Sequence, residues 1–124
     1  MHQGGITSVA FDPSDSRQLL TNCLDSTLRL IDLRSGRVTR TMKHEKFATF
    51  HGTSAACLSP DGKYVAAGSN NGSVFIWDAS NGKSVSSFGG GHESPVIGVD
   101  WSVGGSGGPQ VATMDRRGSM VLWT

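Results

Sequence analysis

One apolar run recurs three times in this 124-residue chain at a constant interval, and the repeat constrains the fold more than any other feature. The runs end in the pairs Ile31-Asp32, Trp77-Asp78 and Trp123-Thr124, and each pair lies 46 residues after the one before it. A period of about 20 to 50 residues is typical of proteins that repeat one structural unit along the chain. We therefore predict three copies of the same unit.

The composition of each unit predicts short strands joined by tight turns. Asp61-Gly62, Asn71-Gly72 and Asn81-Gly82 each separate two apolar runs, and such pairs supply the positive backbone dihedrals that hairpin turns need. Val, Ile, Thr and Phe fill the runs, and Gly or Pro interrupts nearly every longer stretch. The sequence therefore predicts an all-β chain of four-stranded antiparallel units. We place the repeats at approximately 2–43, 49–89 and 92–124.

The second copy carries the most complete set of motifs. Ser59-Pro60-Asp61-Gly62, a strand that ends in Gly68-Ser69, and a strand that ends in Trp77-Asp78 together resemble a WD repeat (WD40) of a β-propeller. The resemblance implies three four-stranded antiparallel blades, of which the last lacks its outer strand. A closed propeller needs about four to eight blades. The implied ring is therefore incomplete, and either the remaining blades of its own propeller or a second copy would close it. Two copies would form a six-bladed homodimer.

Blades of this family are braced by a network of His, Ser or Thr, Asp and Trp side chains. The resemblance assigns this structural network to His2, Asp25, Ser69, Trp77, His92, Thr113 and Trp123. In this interpretation no copy has all four members, because Ile31 replaces Trp in the first copy and Arg117 stands at the Asp position of the third. We expect packing of apolar strands to contribute more than the network.

A narrower resemblance concerns the order of unusual features. Leu30-Ile31-Asp32-Leu33-Arg34, a long connector that contains Phe47, and a last strand with Val121-Leu122-Trp123 resemble the last three blades of the autophagy-related protein 16 family. This resemblance implies a non-catalytic protein–protein interaction scaffold or adaptor in autophagy, with proteins or peptides as partners.

Loops on one face of such a propeller are the expected recognition surface. The candidate partner-binding residues are Lys43, Lys46, Phe47, Phe50, Glu93, Arg116 and Arg117. Phe47 and Phe50 either anchor a partner or pack back onto the blades, and the sequence leaves both readings open. Arg116 and Arg117 either form a solvated turn or contact an acidic partner.

Two other function classes compete with this interpretation. Asp32-Leu33-Arg34 resembles the motif through which propeller receptors dock onto cullin ubiquitin ligases, with Asp32 and Arg34 as its members. The second copy reads Asp78-Ala79-Ser80 and lacks the Arg. A propeller enzyme would need carboxylates or His residues along the central channel, and no nucleophile–base–acid set is recognisable. We therefore predict no catalytic residue.

Composition argues against several kinds of ligand. A formal net charge of +1 gives no reason to invoke nucleic acid or a membrane surface. No run approaches the roughly 20 apolar residues of a bilayer span, so we expect no membrane insertion. Cys23 and Cys57 lack metal-type spacing, and His44 and His51 have only Glu45 beside them as a further ligand. We expect no metal and no cofactor, reduced thiols and a cytoplasmic protein.

Overall fold

The chain forms short strands joined by turns, as a computed structural model shows for residues 5–48, 56–89, 91–92, 94–102 and 110–123. The described strands are β1 Ile6–Asp12, β2 Asp15–Cys23, β3 Leu28–Asp32, β4 Arg37–Met42, β5 Ala56–Leu58, β6 Tyr64–Gly68, β7 Val74–Asp78, β8 Ser84–Phe88, β9 Val96–Trp101, β10 Val111–Asp115 and β11 Met120–Trp123. These described parts contain no helix, so the all-β prediction is confirmed. In the same parts, no helix has the length and apolar character needed to cross a membrane.

The strands form three antiparallel sheets in chain order. Sheet 1 is β1-β2-β3-β4, sheet 2 is β5-β6-β7-β8, and sheet 3 is β9-β10-β11. Their registers match, because Ile31 lies opposite Leu19, Trp77 opposite Val65, and Trp123 opposite Val111. The three sheets are thus copies of one unit. The prediction that the third copy has one strand fewer is confirmed within the described residues.

The hairpin turns form at the Asp-Gly and Asn-Gly pairs that the sequence analysis identified. Gly62, Gly72 and Gly82 have φ values of +73°, +86° and +74°, a conformation that side chains with a Cβ rarely adopt. At Gly72 space is also limiting, because an added Cβ would lie 2.4 Å from the carbonyl oxygen of His92. The β6–β7 turn therefore packs directly on the segment that enters sheet 3.

The sheets pack face to face, with their first strands adjacent. β5 lies against β1 and β2, and β9 lies against β5 and β6. Sheet 1 contributes the buried side chains Leu20, Leu28, Leu30 and Met42 to a core completed by sheet 2. Sheets 2 and 3 approach so closely that a Cβ on Gly68 would lie 2.3 Å from the Val96 side chain. Because successive side chains of a strand point to opposite faces of its sheet, alternate side chains contact the sheets on either side. The exact repeat boundaries remain a prediction.

Candidate functional site

A chain of four polar side chains, three of them buried and the Trp123 indole half-buried, crosses sheet 3. The indole N–H of Trp123 donates to Thr113 Oγ1 at 2.9 Å, and Thr113 Oγ1 lies 2.6 Å from His92 Nε2. On the other side of the ring, His92 Nδ1 lies 2.8 Å from Asp115 Oδ2. An indole only donates and a carboxylate only accepts, so His92 Nδ1 is the donor to Asp115, and in a neutral ring the Thr113 hydroxyl then donates to Nε2. Every member of the chain is then paired.

The family resemblance did not identify the carboxylate of this network. It put Arg117 at the Asp position and left the third copy incomplete, whereas Asp115 is the carboxylate that lies beside His92. Thr113 and Asp115 are two residues apart on β10 and therefore lie on the same face of the sheet. The alternation of side chains along the strand from Val111 would have shown this. Sheet 3 therefore has the complete set.

The network also changes the pKa of its carboxylic acid, Asp115. Asp115 is 4% exposed, and the hydrogen bond from His92 lowers the pKa of its carboxyl below the usual value, with burial opposing the shift. The backbone N–H groups of Ser119 and Arg117 donate to Asp115 Oδ1 and act in the same direction. The same carboxylate thus ties the entering segment of the sheet to its β10–β11 turn.

Sheet 2 satisfies its Trp in another way. The segment 43–48, here called the connector, follows β4 and lies over the ends of β6 and β7. Trp77 Nε1 donates to the carbonyl oxygen of Lys43 at 3.2 Å. The Ser69 hydroxyl accepts from the backbone N–H of Ala48 at 3.1 Å and donates to its carbonyl oxygen at 3.3 Å. Ser69 and Trp77 were predicted to belong to one side-chain network, but each binds the connector instead.

Phe47 is the connector's anchor on its own sheet. The side chain is 3% exposed and meets the rings of Trp77 and Phe75 edge-on, at centroid distances of 5.0 and 5.6 Å. His44 adds a tilted contact with Phe75 at 4.9 Å. The prediction of Phe47 as a partner-binding residue is therefore wrong, because a buried ring cannot anchor a partner. The alternative reading, packing back onto the blade, is the one observed.

In sheet 1, the predicted network residue Asp25 makes hydrogen bonds within its own turn. The Asp25 carboxylate accepts from the backbone N–H of Thr27 at 3.0 Å and from its hydroxyl at 2.5 Å, which stabilises the β2–β3 turn. Ile31, in the register of Trp77, is 7% exposed and packs as an apolar residue. The predicted partner His2 lies outside the described residues.

The remaining loop residues define one cationic surface, which we call the loop face: Lys43, Lys46, Arg116 and Arg117. All four are exposed. The connector is joined to the β6–β7 turn by the Asn71 amide, which donates to the Lys46 carbonyl oxygen at 3.5 Å. That turn abuts His92, and the Arg116 N–H donates to the Pro95 carbonyl oxygen, so the loops form a continuous surface. Phe50 and Glu93 lie outside the described residues.

Asp32 is the last residue of β3 and Arg34 lies in the β3–β4 turn, at the opposite end of the sheets. The Asp32 carboxylate accepts from the Arg34 backbone N–H at 3.1 Å and from the Ser35 hydroxyl at 3.1 Å. This is an ordinary Asx turn, which accounts for Asp32 without a partner. Asp78 makes the same turn through Ser80, although the second copy has no Arg there.

The described residues offer few groups that could bind a metal ion or a cofactor. Among the described residues, no group of three or more His, Cys, Asp or Glu side chains is placed to hold a metal ion. Cys23 and Cys57 are both free thiols. Burial and the nearby Asp100 carboxylate raise the pKa of the Cys57 thiol to about 12, which leaves it protonated and unreactive.

A cleft of about 290 Å³ between sheets 2 and 3 is lined mainly by apolar side chains, including Ile76, Phe88 and Trp123.

The repeat, the matched registers and the network define the class of protein. The WD domain, G-beta repeat family (WD40) matches residues 1–32 and 44–78, and the chain belongs to this family. Its sheets are therefore propeller blades, as the sequence predicted.

Particular relatives narrow the comparison. Protein tipD of Dictyostelium discoideum is 45% identical over 85 residues, which are 68% of this chain and 14% of tipD. Protein Atg16l2 of Mus musculus is 35% identical over 121 residues, 98% of this chain and 19% of that protein. Autophagy-related protein 16 of Arabidopsis thaliana is 34% identical over 123 residues, 99% of this chain and 23% of that protein. The predicted resemblance to the autophagy-related protein 16 family is confirmed, and the chain spans less than a quarter of each relative.

Proposed function

We propose that this chain is a non-catalytic protein–protein interaction scaffold of autophagy, of the autophagy-related protein 16 type. The observation that carries the proposal is the docked connector. Its Phe47 is buried against sheet 2, while Lys43 and Lys46 remain exposed on a backbone held by four hydrogen bonds to Ser69, Asn70 and Trp77. A loop that is rigid in its backbone and free in its charged tips suits recognition at low entropic cost.

The charge of the loop face indicates the kind of partner. Lys43, Lys46, Arg116 and Arg117 are exposed cations, with Glu45 as an exposed anion among them. Such a surface favours an acidic protein segment through complementary charge. With a net charge of +1 for the whole chain, we propose protein or peptide partners in the cytoplasm, and neither nucleic acid nor insertion into a membrane.

Ring completion is the second part of the proposal. Three blades are fewer than the roughly four to eight of a closed propeller, so the chain contributes a sector of a ring. The remaining blades of a longer polypeptide or a second copy would complete it. Docking to a cullin ligase through Asp32 and Arg34 is not favoured, because the turn itself accounts for Asp32 and the relatives named above belong to another family.

A pair of charge-reversal variants tests the loop face. We expect K43E/K46E to lose co-precipitation of autophagy proteins from extracts of starved cells. The matched control K63E/K83E reverses two exposed lysines in the β5–β6 and β7–β8 turns, at the opposite end of the sheets, and should retain it. Equal retention by the two variants, with both folded by circular dichroism, would refute the loop face as the binding surface.

A further inference from the structure

The β10–β11 turn carries a short basic motif that ends in a serine. Arg116 and Arg117 stand three and two residues before Ser119, and no other Ser or Thr of the chain has Arg or Lys at both of those positions. Protein kinases with an acidic substrate groove select arginines at these two positions, because a carboxylate forms paired hydrogen bonds with a guanidinium group. The motif therefore fits a substrate of an arginine-directed kinase.

The turn presents this motif to solvent. All four residues from Arg116 to Ser119 are exposed. An added Cβ on Gly118 would meet no atom within 4 Å, so the space beside the turn is open. The Ser119 hydroxyl forms no hydrogen bond within the described residues, whereas the backbone N–H of the same residue donates to Asp115 Oδ1 at 3.0 Å. The hydroxyl is therefore both accessible and uncommitted.

Access to this hydroxyl does not depend on the position of Ser119 in the last sheet. Ser119 and Ser73 occupy the same place in their sheets, four residues before the matched tryptophans. Ser73 remains partly exposed although sheet 3 follows it, and Asn71, the equivalent of Arg117, is exposed. A following sheet thus leaves both the hydroxyl and the second basic position within reach.

A kinase binds its substrate segment in an extended form, so the turn must open locally. The bonds that hold it converge on one residue, because the N–H groups of Arg117, Gly118 and Ser119 all donate to oxygens of Asp115, at 2.9, 3.2 and 3.0 Å. The strand pairing of β10 with β11 begins beyond these bonds, at Met114 and Met120. The turn can therefore open without loss of the sheet, as exposed loops commonly do.

We propose that Ser119 is phosphorylated by an arginine-directed protein kinase and that the phosphate weakens the binding of partners to the loop face. In the reaction Ser119 Oγ forms a bond to the γ-phosphorus of ATP, and the bond between that phosphorus and the β,γ-bridging oxygen breaks. ADP leaves, and the hydroxyl proton passes to the carboxylate base of the kinase. The second half of the proposal rests on the loop face as the recognition surface proposed above.

The charge of a phosphate explains its effect on the loop face. A phosphoserine carries a charge of about −1.5 to −2 at pH 7 and three strong acceptor oxygens. Ser119 lies two and three residues from the guanidinium groups of Arg117 and Arg116, which are two of the four cations of the loop face. The phosphate can pair with them and offset their charge. An acidic partner would then meet a surface with only Lys43 and Lys46 as effective cations.

Phosphorylation of the folded chain in solution tests the first half of the proposal. The catalytic subunit of cAMP-dependent protein kinase is a suitable arginine-directed probe, with ATP as co-substrate and intact-mass spectrometry as the measurement. We expect one phosphate per wild-type chain, none in S119A, and labelling at least about tenfold slower in R116Q/R117Q. The matched control S73A should be labelled like wild type, because Asn70 and Asn71 precede Ser73 in place of the arginines.

Co-precipitation from extracts of starved cells tests the second half. Wild-type chain treated with kinase and ATP should retain less of the autophagy proteins than untreated chain, whereas S119A treated in the same way should retain as much as before. S119N replaces S119A if circular dichroism shows that the alanine variant fails to fold.

Four results would overturn the proposal. They are an unlabelled folded wild type, labelling only after heat denaturation, a label that persists in S119A, and equal co-precipitation by treated and untreated wild type. Equal rates for R116Q/R117Q and wild type would also refute the role of the arginines. The label is read by mass without any partner, and K43E/K46E tests the loop face without any kinase, so failure of either proposal is seen separately.

Discussion

Thr113 lies at a position in sheet 3 where two polar groups, the His92 ring and the half-buried Trp123 indole, depend on a single hydroxyl. It is 1% exposed, accepts from the Trp123 indole at 2.9 Å and lies 2.6 Å from His92 Nε2. Replacement by Val keeps the shape of the side chain but removes both contacts. The indole N–H and the imidazole nitrogen would then remain without protein partners.

The expected cost follows from those two groups. An unpaired buried donor or acceptor costs about 1–3 kcal/mol. His92 is buried at 5% exposure, whereas Trp123 is half-buried and water can partly replace the lost acceptor. We therefore expect Thr113→Val to lower the free energy of unfolding by about 2–4 kcal/mol. Urea denaturation followed by tryptophan fluorescence would measure it.

A matched control and a double-mutant cycle make this prediction refutable. Thr39 Oγ1 donates to the Leu30 carbonyl oxygen at 3.2 Å from an exposed position, so Thr39→Val should cost no more than about 1 kcal/mol. With Trp123→Phe already present, Thr113→Val should cost at least about 1 kcal/mol less, because the indole donor is gone. Equal costs for Thr113→Val and Thr39→Val would show that the network does not stabilise the blade.

Three further predictions test the same structure. Because the folded pKa of Asp115 is lowered, its stabilisation should be present above the ordinary carboxyl pKa and decline as the pH falls below about 4, so wild type and Asp115→Asn should converge in acid unfolding curves. Gly36→Ala should cost about 1 kcal/mol from its φ of +70° alone, and Gly72→Ala at least about 2 kcal/mol more, because its Cβ would meet the His92 backbone; equal midpoints in urea would contradict this. Iodoacetamide should modify Cys57 at pH 8 at least about tenfold faster in urea than in the folded protein, as measured by peptide mass spectrometry, and equal rates would contradict its burial.

The strands could be predicted because their signals are local. Asn71-Gly72 and Asn81-Gly82 mark turns by the backbone conformation that only Gly adopts freely, and the runs between them are rich in β-forming residues. The matching intervals then gave the repeat and the family. These signals can be read from the sequence without knowing which sheet lies next to the strand.

Asp115 was missed because its role depends on register and not on distance from a turn. Arg117 directly precedes Gly118 in the β10–β11 turn, as Asp25 precedes Ser26 in the β2–β3 turn, but only a side chain on the face of Thr113 can reach His92. Alternation along β10 places Asp115 on that face. The strand pairing, once known, shows that Asp115 and not Arg117 occupies the position beside His92.

The connector shows why a missing network residue need not weaken a blade. A buried indole N–H requires an acceptor, but any oxygen at the right place meets the requirement. In sheet 2 the Lys43 carbonyl oxygen takes the place that Thr113 has in sheet 3, and Phe47 fills the space beside the indole. Backbone atoms leave no residue-type signal, so sequence alone could not reveal this substitution. The bond that satisfies Trp77 also holds the Lys43 backbone in place on the loop face.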